Sequence, residues 1–373
     1  MTARILIIAG SDSGGGAGIQ ADIKTVTMLG GHAMTAVTAI TAQNTLGVDA
    51  VHAVPTDIVI AQIAAVVSDI GVDAVKIGMI GSAQTARAVA DCLIDLDCPI
   101  IFDPVMVATS GSALADKETI AAFMDLIDIA TVTTPNLPEL DALGGVAAID
   151  GPLLVKGGHA NGDLLVDRLI VDGREVATWE DARIETRSTH GTGCTLATAI
   201  ATGMGQGMAL EQAIGRARLF VRLALNDAPG LGQGHGPMGH QYVREDAMVA
   251  GPSLNQVTVA SSDYRAMVDF YSVLGLTQIV DSPSNGYARF EAPNGVTFSI
   301  HDADGVSAST VVYFESKRLD AWVAELASAG FAFEHMPQDE DWGWREARLL
   351  DPSGNIVCLY SAGENRRYPP WRI

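Results

Sequence analysis

Short apolar runs, each followed by glycine or polar residues, recur from the N-terminus to about residue 245. The first run, Arg4–Ala9, is hydrophobic at every position after its arginine. Such a run is typical of a strand buried on both faces of a parallel sheet. Segments with helical periodicity separate the runs, so the pattern predicts an α/β domain with a doubly wound, mostly parallel sheet. In such sheets, ligands bind beyond the carboxyl ends of the strands.

The predicted elements of this first region alternate along the chain. Strands are predicted at 4–9, 33–41, 74–79, 99–105, 129–134 and 153–159. Helices are predicted at 19–29, 57–68, 83–93, 195–204 and 209–225. Residues 163–171 and 175–186 alternate enough to predict a hairpin at the edge of the sheet.

The pattern changes after a stretch rich in Gly, Pro and His that ends near residue 253. The order strand, helix, three strands then occurs twice. The predicted elements are 255–260, 262–274, 277–280, 287–291 and 296–301, then 310–315, 319–329, 331–335, 345–350 and 356–360. This internal repeat predicts a smaller α+β domain of paired βαβββ modules. We therefore predict a first domain at 1–245, a linker at 246–254 and a second domain at 255–373.

Composition and charge narrow the classes of function. A chain of 373 residues exceeds one average domain, and 48% hydrophobic against 18% charged residues supports packed cores. The net charge of −21 disfavours nucleic acid and anionic membranes as partners. The four cysteines form no zinc pattern, and the apolar run at 5–9 is too short for a signal peptide or a membrane span. We expect a reduced, cytoplasmic setting.

The loop Thr189–Thr195 runs directly into a segment of good helix formers. Gly191 and Gly193 allow the backbone to approach a ligand closely, and the first N–H groups of a helix favour an anion. The loop therefore predicts a phosphate cradle, with Cys194 where a reacting group would lie. From the loop alone, a capped helix start is an equal alternative.

Two nucleotide motifs can be excluded. Gly16–Ala21 matches the dinucleotide fingerprint G-x-G-x-x-A, but that fingerprint needs an acidic residue at the end of the next strand. The segment 34–41 carries none. No Walker A lysine pattern is present either.

Polar side chains gather at the ends of the predicted strands. Asp103 and Glu139 are carboxylates that could hold Mg²⁺ on a triphosphate, and Lys156 could neutralise a phosphate that is being transferred. Asp22 and Gln43 could form hydrogen bonds with a heterocyclic ring. The plainer alternatives are a solvated loop acid for Asp103 and Glu139, a helix-surface acid for Asp22 and a lysine that extends to solvent for Lys156.

Seven stretches of the first region stand in the order found in hydroxymethylpyrimidine/phosphomethylpyrimidine kinases, which belong to the ribokinase-like superfamily. They are Ala9–Asp22, Thr41–Thr45, Lys76–Met79, Thr134–Glu139, Lys156–His159, His190–Thr195 and Gly234–Pro237. The region resembles this family over some 240 residues. The resemblance implies a ribokinase-like fold, the use of ATP and Mg²⁺, and a role in thiamine diphosphate biosynthesis or salvage.

The resemblance also implies a role for each matching site residue. The aminopyrimidine would be bound by Gly10, Asp22, Gln43, Met79 and Val105. ATP would be bound by Lys156, Asn136, Thr192 and Gly193, and Mg²⁺ would be held, directly or through water, by Asp103 and Glu139. The catalytic group would comprise Lys156 and an anion hole of Gly191, Gly193 and Cys194. One departure is the short segment 140–152, where the family usually has a further full helix.

Cys194 also carries a prediction from its position. A thiol at a helix N-terminus has its thiolate favoured. Cys194 could therefore accept the proton of the substrate hydroxymethyl group. Because phosphoryl transfer depends more on positioning and charge neutralisation than on a strong base, we expect Cys194 to assist without being indispensable.

The second domain resembles the vicinal oxygen chelate superfamily, which includes glyoxalase I, dioxygenases and bleomycin-resistance proteins. The resemblance rests on the repeat and on the stretches Asp269–Leu276, Trp342–Arg345 and Asp351–Asn355. The metal positions of that superfamily correspond to Gln256, Ser299, Val311 and Cys358, a poor divalent site. We therefore predict no cofactor here, but a metal-free binding cup lined partly by Trp342 and Trp344, or a dimerisation module. His301 and His335 are interpreted as solvated strand-end histidines.

The leading hypothesis is a kinase of 4-amino-5-hydroxymethyl-2-methylpyrimidine and its monophosphate. A pyridoxal or pyridoxine kinase is the rival, since vitamin B6 rings fit related pockets. The second domain would bind a ligand or regulate the kinase, with a purely structural role as the alternative. A homodimer is expected, because closed symmetric dimers are common.

Overall fold

The computed structural model describes residues 2–107, 111, 114–159, 162–243, 253–261, 263–273, 277–291, 296–302, 311–328, 330–350, 356–366, 369 and 371. The chain divides into two compact units, Met1–Val249 and Ala250–Ile373. The predicted linker at 246–254 lies outside the described residues, apart from Ser253 and Leu254, which begin a strand. Among the helices so described, none combines the length and hydropathy needed to cross a membrane.

The first unit contains a sheet of nine strands among its described residues. They are β1 Arg4–Asp12, β2 His32–Gln43, β3 Val48–Ala53, β4 Ala74–Ile77, β5 Ile100–Phe102, β6 Val132–Thr133, β7 Leu153–Val155, β8 Leu164–Val171 and β9 Arg174–Ala182. The order across the sheet is β3-β2-β1-β4-β5-β6-β7-β8-β9. The six central strands are parallel, whereas β3, β8 and β9 are antiparallel to their neighbours. The predicted parallel sheet and its edge hairpin are confirmed.

Helices cover both faces of this sheet. Those described are α1 Gly18–Met28, α2 Thr56–Asp69, α3 Ala83–Leu93, α4 Lys117–Ile129, α5 Leu137–Ala142, α6 Thr192–Gly205 and α7 Leu210–Asn226. Residues of α2, α3 and α4 share one core with Leu6 and Ile8, and residues of α1, α6 and α7 share the other with Ile5 and Ile7. Because side chains alternate across a strand, both faces of β1 are buried, which explains its continuous apolar run.

The order in which strands are added to the sheet reverses at β1. β2 lies on one side of β1, and β4, the next parallel strand, lies on the other. In open α/β sheets, ligands bind at such a reversal, beyond the carboxyl ends of the strands. Gly10 lies near the carboxyl end of β1, and Gly78 and Met79 follow β4. The predicted binding edge therefore coincides with the reversal point.

Three elements of the first unit escaped prediction, namely β3, α4 and the short helix α5. β3 has scarcely any buried side chain, so its sequence carries no hydrophobic pattern. α4 is capped by Asp116, whose carboxylate accepts the N–H of Thr119 at 2.8 Å. An Asp cap before an amphipathic segment is a readable signal, and the sequence analysis missed it. The segment 140–152 contains only the end of α5 and a turn of 3₁₀ helix at Val146–Ala148, as its shortness predicts.

The second unit contains eight strands and two α-helices in its described part. They are β10 Ser253–Ser261, α8 Tyr264–Val273, β11 Thr277–Ser282, β12 Tyr287–Glu291, β13 Thr297–Asp302, β14 Val311–Glu315, α9 Leu319–Ser328, β15 Phe333–Asp339, β16 Arg345–Leu350 and β17 Ile356–Ser361. The strand order is β11-β12-β13-β10-β14-β17-β16-β15. The two halves of this order are the two predicted βαβββ modules, and they meet at the antiparallel pair β10 and β14. The turn Asp351–Asn355 lies outside the described residues.

Candidate active site

A cavity of about 910 Å³ opens at the carboxyl edge of the first sheet. It brings together most of the predicted site residues. Those lining it are Gly10, Gln43, Met79, Asp103, Val105, Asn136, Glu139, Lys156, Gly191, Thr192, Gly193 and Cys194. Asp22 is the predicted residue that does not line it.

The Gly191 loop forms one wall of the cavity. Gly191 is the N-cap of α6 and has φ of 82°, a left-handed conformation that favours glycine. A Cβ at Gly191 would lie 2.0 Å from the carbonyl oxygen of Gly16, so the two glycine loops pack too closely for a side chain. A Cβ at Gly193 would lie 3.3 Å from Lys156 Nζ. The first turn of α6 therefore faces the same point as the lysine, which suits an anion.

Lys156 lies between the carboxylate of Asp103, at the end of β5, and that of Glu139, in the first turn of α5. Its Nζ lies 2.7 Å from Asp103 Oδ1 and 3.8 Å from Glu139 Oε2. Burial lowers the pKa of Lys156, but Asp103 and Glu139 more than offset this, and the net shift is upward. The lysine is therefore charged. Its predicted interpretation as a solvent-extended side chain is wrong, because only 13% of the side chain is exposed.

The two carboxylates are held rather than solvated. Asp103 is 1% exposed, and its Oδ1 also accepts a hydrogen bond from Thr134 at 3.1 Å. Glu139 and Asn136 form a capping box on α5, in which each side chain accepts the other residue's N–H at 2.8–2.9 Å. Burial raises the pKa of Glu139, with Lys156 acting against the shift. The structure thus concentrates two buried acids and one lysine at the edge of the cavity.

A second anchor holds the turn after Lys156. The Gly157 N–H donates to Asp167 Oδ1 at 2.8 Å, and Asp167 is paired with the buried Arg218. Arg183 Nη1 donates to the Gly158 carbonyl at 3.0 Å. Sequence analysis missed these three polar residues, since their partners come from different elements of the fold.

Asp22 requires a correction. Its carboxylate is completely buried, with Oδ2 2.8 Å from Lys76 Nζ and Oδ1 accepting from Thr198 Oγ1 at 2.6 Å. Both oxygens are thus engaged inside the protein, away from the ring that the sequence assigned to Asp22. The alternative of a helix-surface acid is equally wrong. Thr198 is one turn beyond Cys194 on α6, so the Asp22–Lys76 pair anchors the helix that begins the anion loop.

The predicted thiolate at Cys194 also requires a correction. Burial raises the pKa of Cys194 to about 11, and the lowering by Lys76 and by the Gly18 N–H does not compensate. Removing a thiolate from water thus outweighs the stabilisation by Lys76 and the Gly18 N–H. Cys194 is therefore a neutral thiol at physiological pH.

Gln43 also lines the cavity. Its amide lies beside the ring of His190 and the hydroxyl of Thr41, at 3.0 and 3.1 Å. His190 in turn lies 3.1 Å from Asp12 Oδ2. Asp12 and His190 line the cavity too, and sequence analysis assigned neither of them a role. Their positions directly beside the two glycine loops were the available signal.

In the second unit, the four residues at the superfamily metal positions either contact other side chains or have no ligand atom. Gln256 Nε2 donates to Ser299 Oγ at 3.0 Å, and Cys358 Sγ lies 3.5 Å from Glu346 Oε2. Val311 packs against a cluster of aromatic side chains and offers no ligand atom. The four residues thus pack as parts of the domain interior.

A stacked aromatic group packs beside Val311 and Cys358. Trp344 is 3% exposed and stacks on Tyr360 at 4.4 Å, with Arg289 over its ring at 4.7 Å. Trp342, which was predicted to line the same cup, is 37% exposed. His301 is exposed, as interpreted, whereas His335 is half-buried and lies within reach of Glu340 and Glu346. Glu346 is already paired with Arg348 at 2.6 Å.

Comparison with known families covers both units. The sequence profile of phosphomethylpyrimidine kinase matches residues 12–239, and that of the glyoxalase/bleomycin resistance protein/dioxygenase superfamily matches residues 253–359. A hydroxymethylpyrimidine/phosphomethylpyrimidine kinase of Rhizobium meliloti is 46% identical over 261 residues, which cover 64% of this chain and 97% of the relative. The corresponding kinase of Streptomyces coelicolor is 44% identical over 255 residues, covering 64% and 94%.

Solved structures resemble the first unit as well. The Bacillus subtilis pyridoxal kinase in complex with ADP has a TM-score of 0.59 and 31% identity, covering 65% of this chain and 98% of that protein. The phosphomethylpyrimidine kinase of Clostridium difficile has a TM-score of 0.52 and 33% identity, covering 59% and 98%. The ordered motifs, the geometry of the cavity and these matches agree, and the chain belongs to the phosphomethylpyrimidine kinase family, with a glyoxalase-superfamily domain after its kinase region.

Proposed function

We propose that the first unit transfers the γ-phosphoryl group of ATP to the hydroxymethyl group of 4-amino-5-hydroxymethyl-2-methylpyrimidine, and then to the resulting monophosphate. The observation that carries the proposal is the close approach of Gly193 to the Lys156–Asp103 pair in a cavity that Gln43 also lines. Gly193 and Lys156 suit a polyphosphate, and the Gln43 amide suits a polar heterocycle. Relatives that span almost the same residues are named for this activity.

Different residues of the cavity contribute to different parts of the phosphoryl transfer. The Lys156 ammonium group lies where it neutralises charge on the group being transferred. The N–H groups at the start of α6 point to the same place and need no reorganisation as charge moves between oxygens. The loops at Gly16 and Gly191 close one side of the cavity and limit the access of water, which would otherwise compete with the alcohol.

The residues present also fit a magnesium ion. Asp103 and Glu139 offer buried carboxylate oxygens within 4 Å of Lys156 Nζ, at 2.7 and 3.8 Å, and Mg²⁺ prefers oxygen ligands of this kind. When bound with ATP, the ion would neutralise charge on the triphosphate. Asp103 and Glu139 are the residues that would hold it, directly or through water.

Cys194 supports a specific prediction about the acceptor proton. Since its thiol is neutral, we expect Cys194→Ser to retain kcat within about 10-fold and Cys194→Ala to lose about 10- to 100-fold. Because the pKa is about 11, no ionisation of Cys194 should shape the kcat profile between pH 6 and 9. Steady-state kinetics across this pH range provide the measurement. An inflection near pH 7.5 that is present in the wild type and absent from Cys194→Ser would contradict a neutral thiol.

Vitamin B6 kinase activity is the second candidate, because a pyridoxal kinase is among the structures that the first unit resembles. An assay of ADP release distinguishes the two. Full-length protein and residues 1–250 are each offered the aminopyrimidine, its monophosphate and pyridoxal. We expect both proteins to turn over the two pyrimidines in preference to pyridoxal. If neither ring is turned over, the kinase proposal fails.

For the second unit we propose a metal-free binding or regulatory role, with dimerisation as the alternative. Trp344, Tyr360 and Arg289 form a buried aromatic and cationic group in this unit. The exposed Trp342 is the predicted cup residue that a ligand could reach. A changed KM for the aminopyrimidine in residues 1–250 would support regulation. If truncation changes only the oligomeric state, the domain is a dimerisation module. The homodimer itself remains a prediction.

Metal content tests the proposal for the second unit. We expect elemental analysis of purified full-length protein to find less than roughly 0.1 equivalent of Zn, Mn, Fe or Ni. His335→Ala is the matched control, because His335 is the histidine that approaches two glutamates. A full equivalent of metal in the wild type that is lost in His335→Ala would overturn the metal-free proposal.

A further inference from the structure

Residues 234–243 follow α7 in the first unit and pack back against the helices of that unit. The first four of them are one of the seven ordered motifs, and we call the whole stretch the tail segment. The Gly239 N–H donates to the Ala224 carbonyl at 2.8 Å, near the end of α7. Met238 and Val243 are buried in the core that α1, α6 and α7 share. The tail segment is therefore an integral part of the kinase fold.

The tail segment first contacts the anion loop, residues 189–195, where the chain enters that loop. The His190 N–H donates to the Gly236 carbonyl at 3.1 Å, and the Gly236 N–H donates to the Arg187 carbonyl, also at 3.1 Å. His190 and Pro237 pair as an isolated parallel bridge. These backbone contacts fix the direction in which the chain enters the anion loop.

A side chain of the tail segment holds the other end of the anion loop. His240 Nε2 lies 2.8 Å from the hydroxyl of Thr195, and both residues are completely buried. Burial lowers the pKa of His240 to about 4, and Lys24 acts in the same direction, so the imidazole is neutral at physiological pH. A neutral imidazole and a hydroxyl form one hydrogen bond whichever group donates. Thr195 directly follows Cys194 in the first turn of α6.

The anion loop needs such contacts because its own sequence restricts it little. Gly191 and Gly193 leave the backbone more conformational freedom than other residues would. The N–H groups at the start of α6 stabilise a phosphoryl group in transfer only if they are already aimed at it. Thr195 is the first buried residue of α6, so its contact with His240 lies where the loop becomes a packed helix.

We propose that His240 is a positioning residue for the phosphoryl transfer, which holds the first turn of α6 through Thr195 and thereby fixes the N–H groups of the anion loop. His240 and Thr195 do not line the cavity, so neither is a catalytic residue. The contact joins residues 45 positions apart and reaches the loop from outside the cavity. This inference rests on the proposed kinase function and adds to it a residue that acts at a distance from the substrate.

The test removes each partner of this hydrogen bond in turn. Thr195→Val keeps the shape of the side chain but removes the hydroxyl, and we expect kcat to fall about 10- to 100-fold, since a misplacement of about 1 Å can cost about 100-fold. KM for ATP and for the pyrimidine should stay within about 3-fold, because the N–H groups act mainly in the transition state. A merely structural contact would lower stability and leave kcat of the folded protein unchanged.

Substitutions of His240 test the same bond from the other side. His240→Leu leaves the Thr195 hydroxyl without its partner, and we expect it to lose kcat as Thr195→Val does. His240→Gln keeps a polar group of similar reach and should retain kcat within about 5-fold. The double variant His240→Leu/Thr195→Val should lose little more than either single variant, because both remove one interaction.

Thr202→Val is the matched control. Thr202 is buried on the same helix, and its hydroxyl donates only to the Thr198 carbonyl, at 2.8 Å. We expect this variant to lose stability but to keep kcat within about 2-fold. Circular dichroism and urea-induced unfolding show that each assayed variant is folded.

The inference is overturned if folded Thr195→Val keeps kcat within about 3-fold of wild type, or if Thr202→Val loses as much kcat as Thr195→Val. Should His240→Leu fail to fold, the comparison of the two valine variants decides. Both outcomes require an active wild-type protein. If wild-type protein phosphorylates no pyrimidine at all, the proposed function itself has failed, and the inference falls with it.

Discussion

Lys156→Ala is expected to lower kcat by about 1,000-fold, the largest loss of activity that we predict for a single substitution. The ammonium group is the cation that the structure places between Asp103, Glu139 and the start of α6. Without it, two buried carboxylates face the triphosphate, and charge developing during the transfer loses its nearest cationic partner. Because this interaction acts mainly in the transition state, kcat should fall more than KM for ATP rises.

Lys117→Ala is the matched control for this experiment. Lys117 is an exposed residue at the start of α4, and we expect its replacement to leave kcat within about 2-fold. Circular dichroism of both variants checks that the fold is intact. A folded Lys156→Ala variant with kcat within about 10-fold of wild type would remove Lys156 from the catalytic group.

Lys76→Met is expected to lower the free energy of unfolding by about 3–5 kcal/mol, the largest loss of stability that we predict. Lys76 and Asp22 have no exposed side-chain surface, and their charges lie 2.8 Å apart. The burial of Asp22 raises its pKa even beside the lysine, so the carboxylate depends on its partner. Removal of Lys76 leaves that charge unpaired in the interior. Urea-induced unfolding followed by circular dichroism gives the measurement.

Two controls identify the unpaired charge as the cause. The double variant Asp22→Leu/Lys76→Met has no buried charge, and we expect it to be more stable than Lys76→Met alone. Arg4→Ala breaks a partly exposed pair with Asp73 and should cost no more than about 1 kcal/mol. A loss below about 1 kcal/mol for Lys76→Met would show that the pair contributes little to the fold.

The hydrophobic pattern predicted the layered architecture because burial on both faces of a strand leaves a direct trace in the sequence. Arg4–Ala9 was recognised as a strand for this reason, and in the structure the strand continues three residues further, to Asp12. β3 left no such trace, since its side chains are mostly exposed. The repeat in the second unit was equally legible, because each module repeats the same order of strand and helix.

The site was predictable where it depends on position along a strand. Asp103 follows β5 and Lys156 follows β7, two parallel strands with only β6 between them. The topology therefore brings both side chains to the same edge of the sheet. Asp22 was misassigned because its partner, Lys76, is 54 residues away, and only the packed fold brings the two together. Cys194 was misjudged because a helix N-terminus is visible in sequence, whereas the burial that outweighs it is not. Asp12 and His190 were missed because, as for Asp22, the contacting residues are far apart in sequence, here by 178 residues.

The most direct test of the central claim is the mass of the product formed from 4-amino-5-hydroxymethyl-2-methylpyrimidine and ATP with Mg²⁺. The proposed function predicts a monophosphate that appears first and a diphosphate that follows, each formed in step with ADP. Lys156→Ala protein provides the blank. The account would be contradicted if the substrate stayed unchanged after an incubation long enough for many turnovers. It would also be contradicted by a larger kcat/KM for pyridoxal than for the aminopyrimidine.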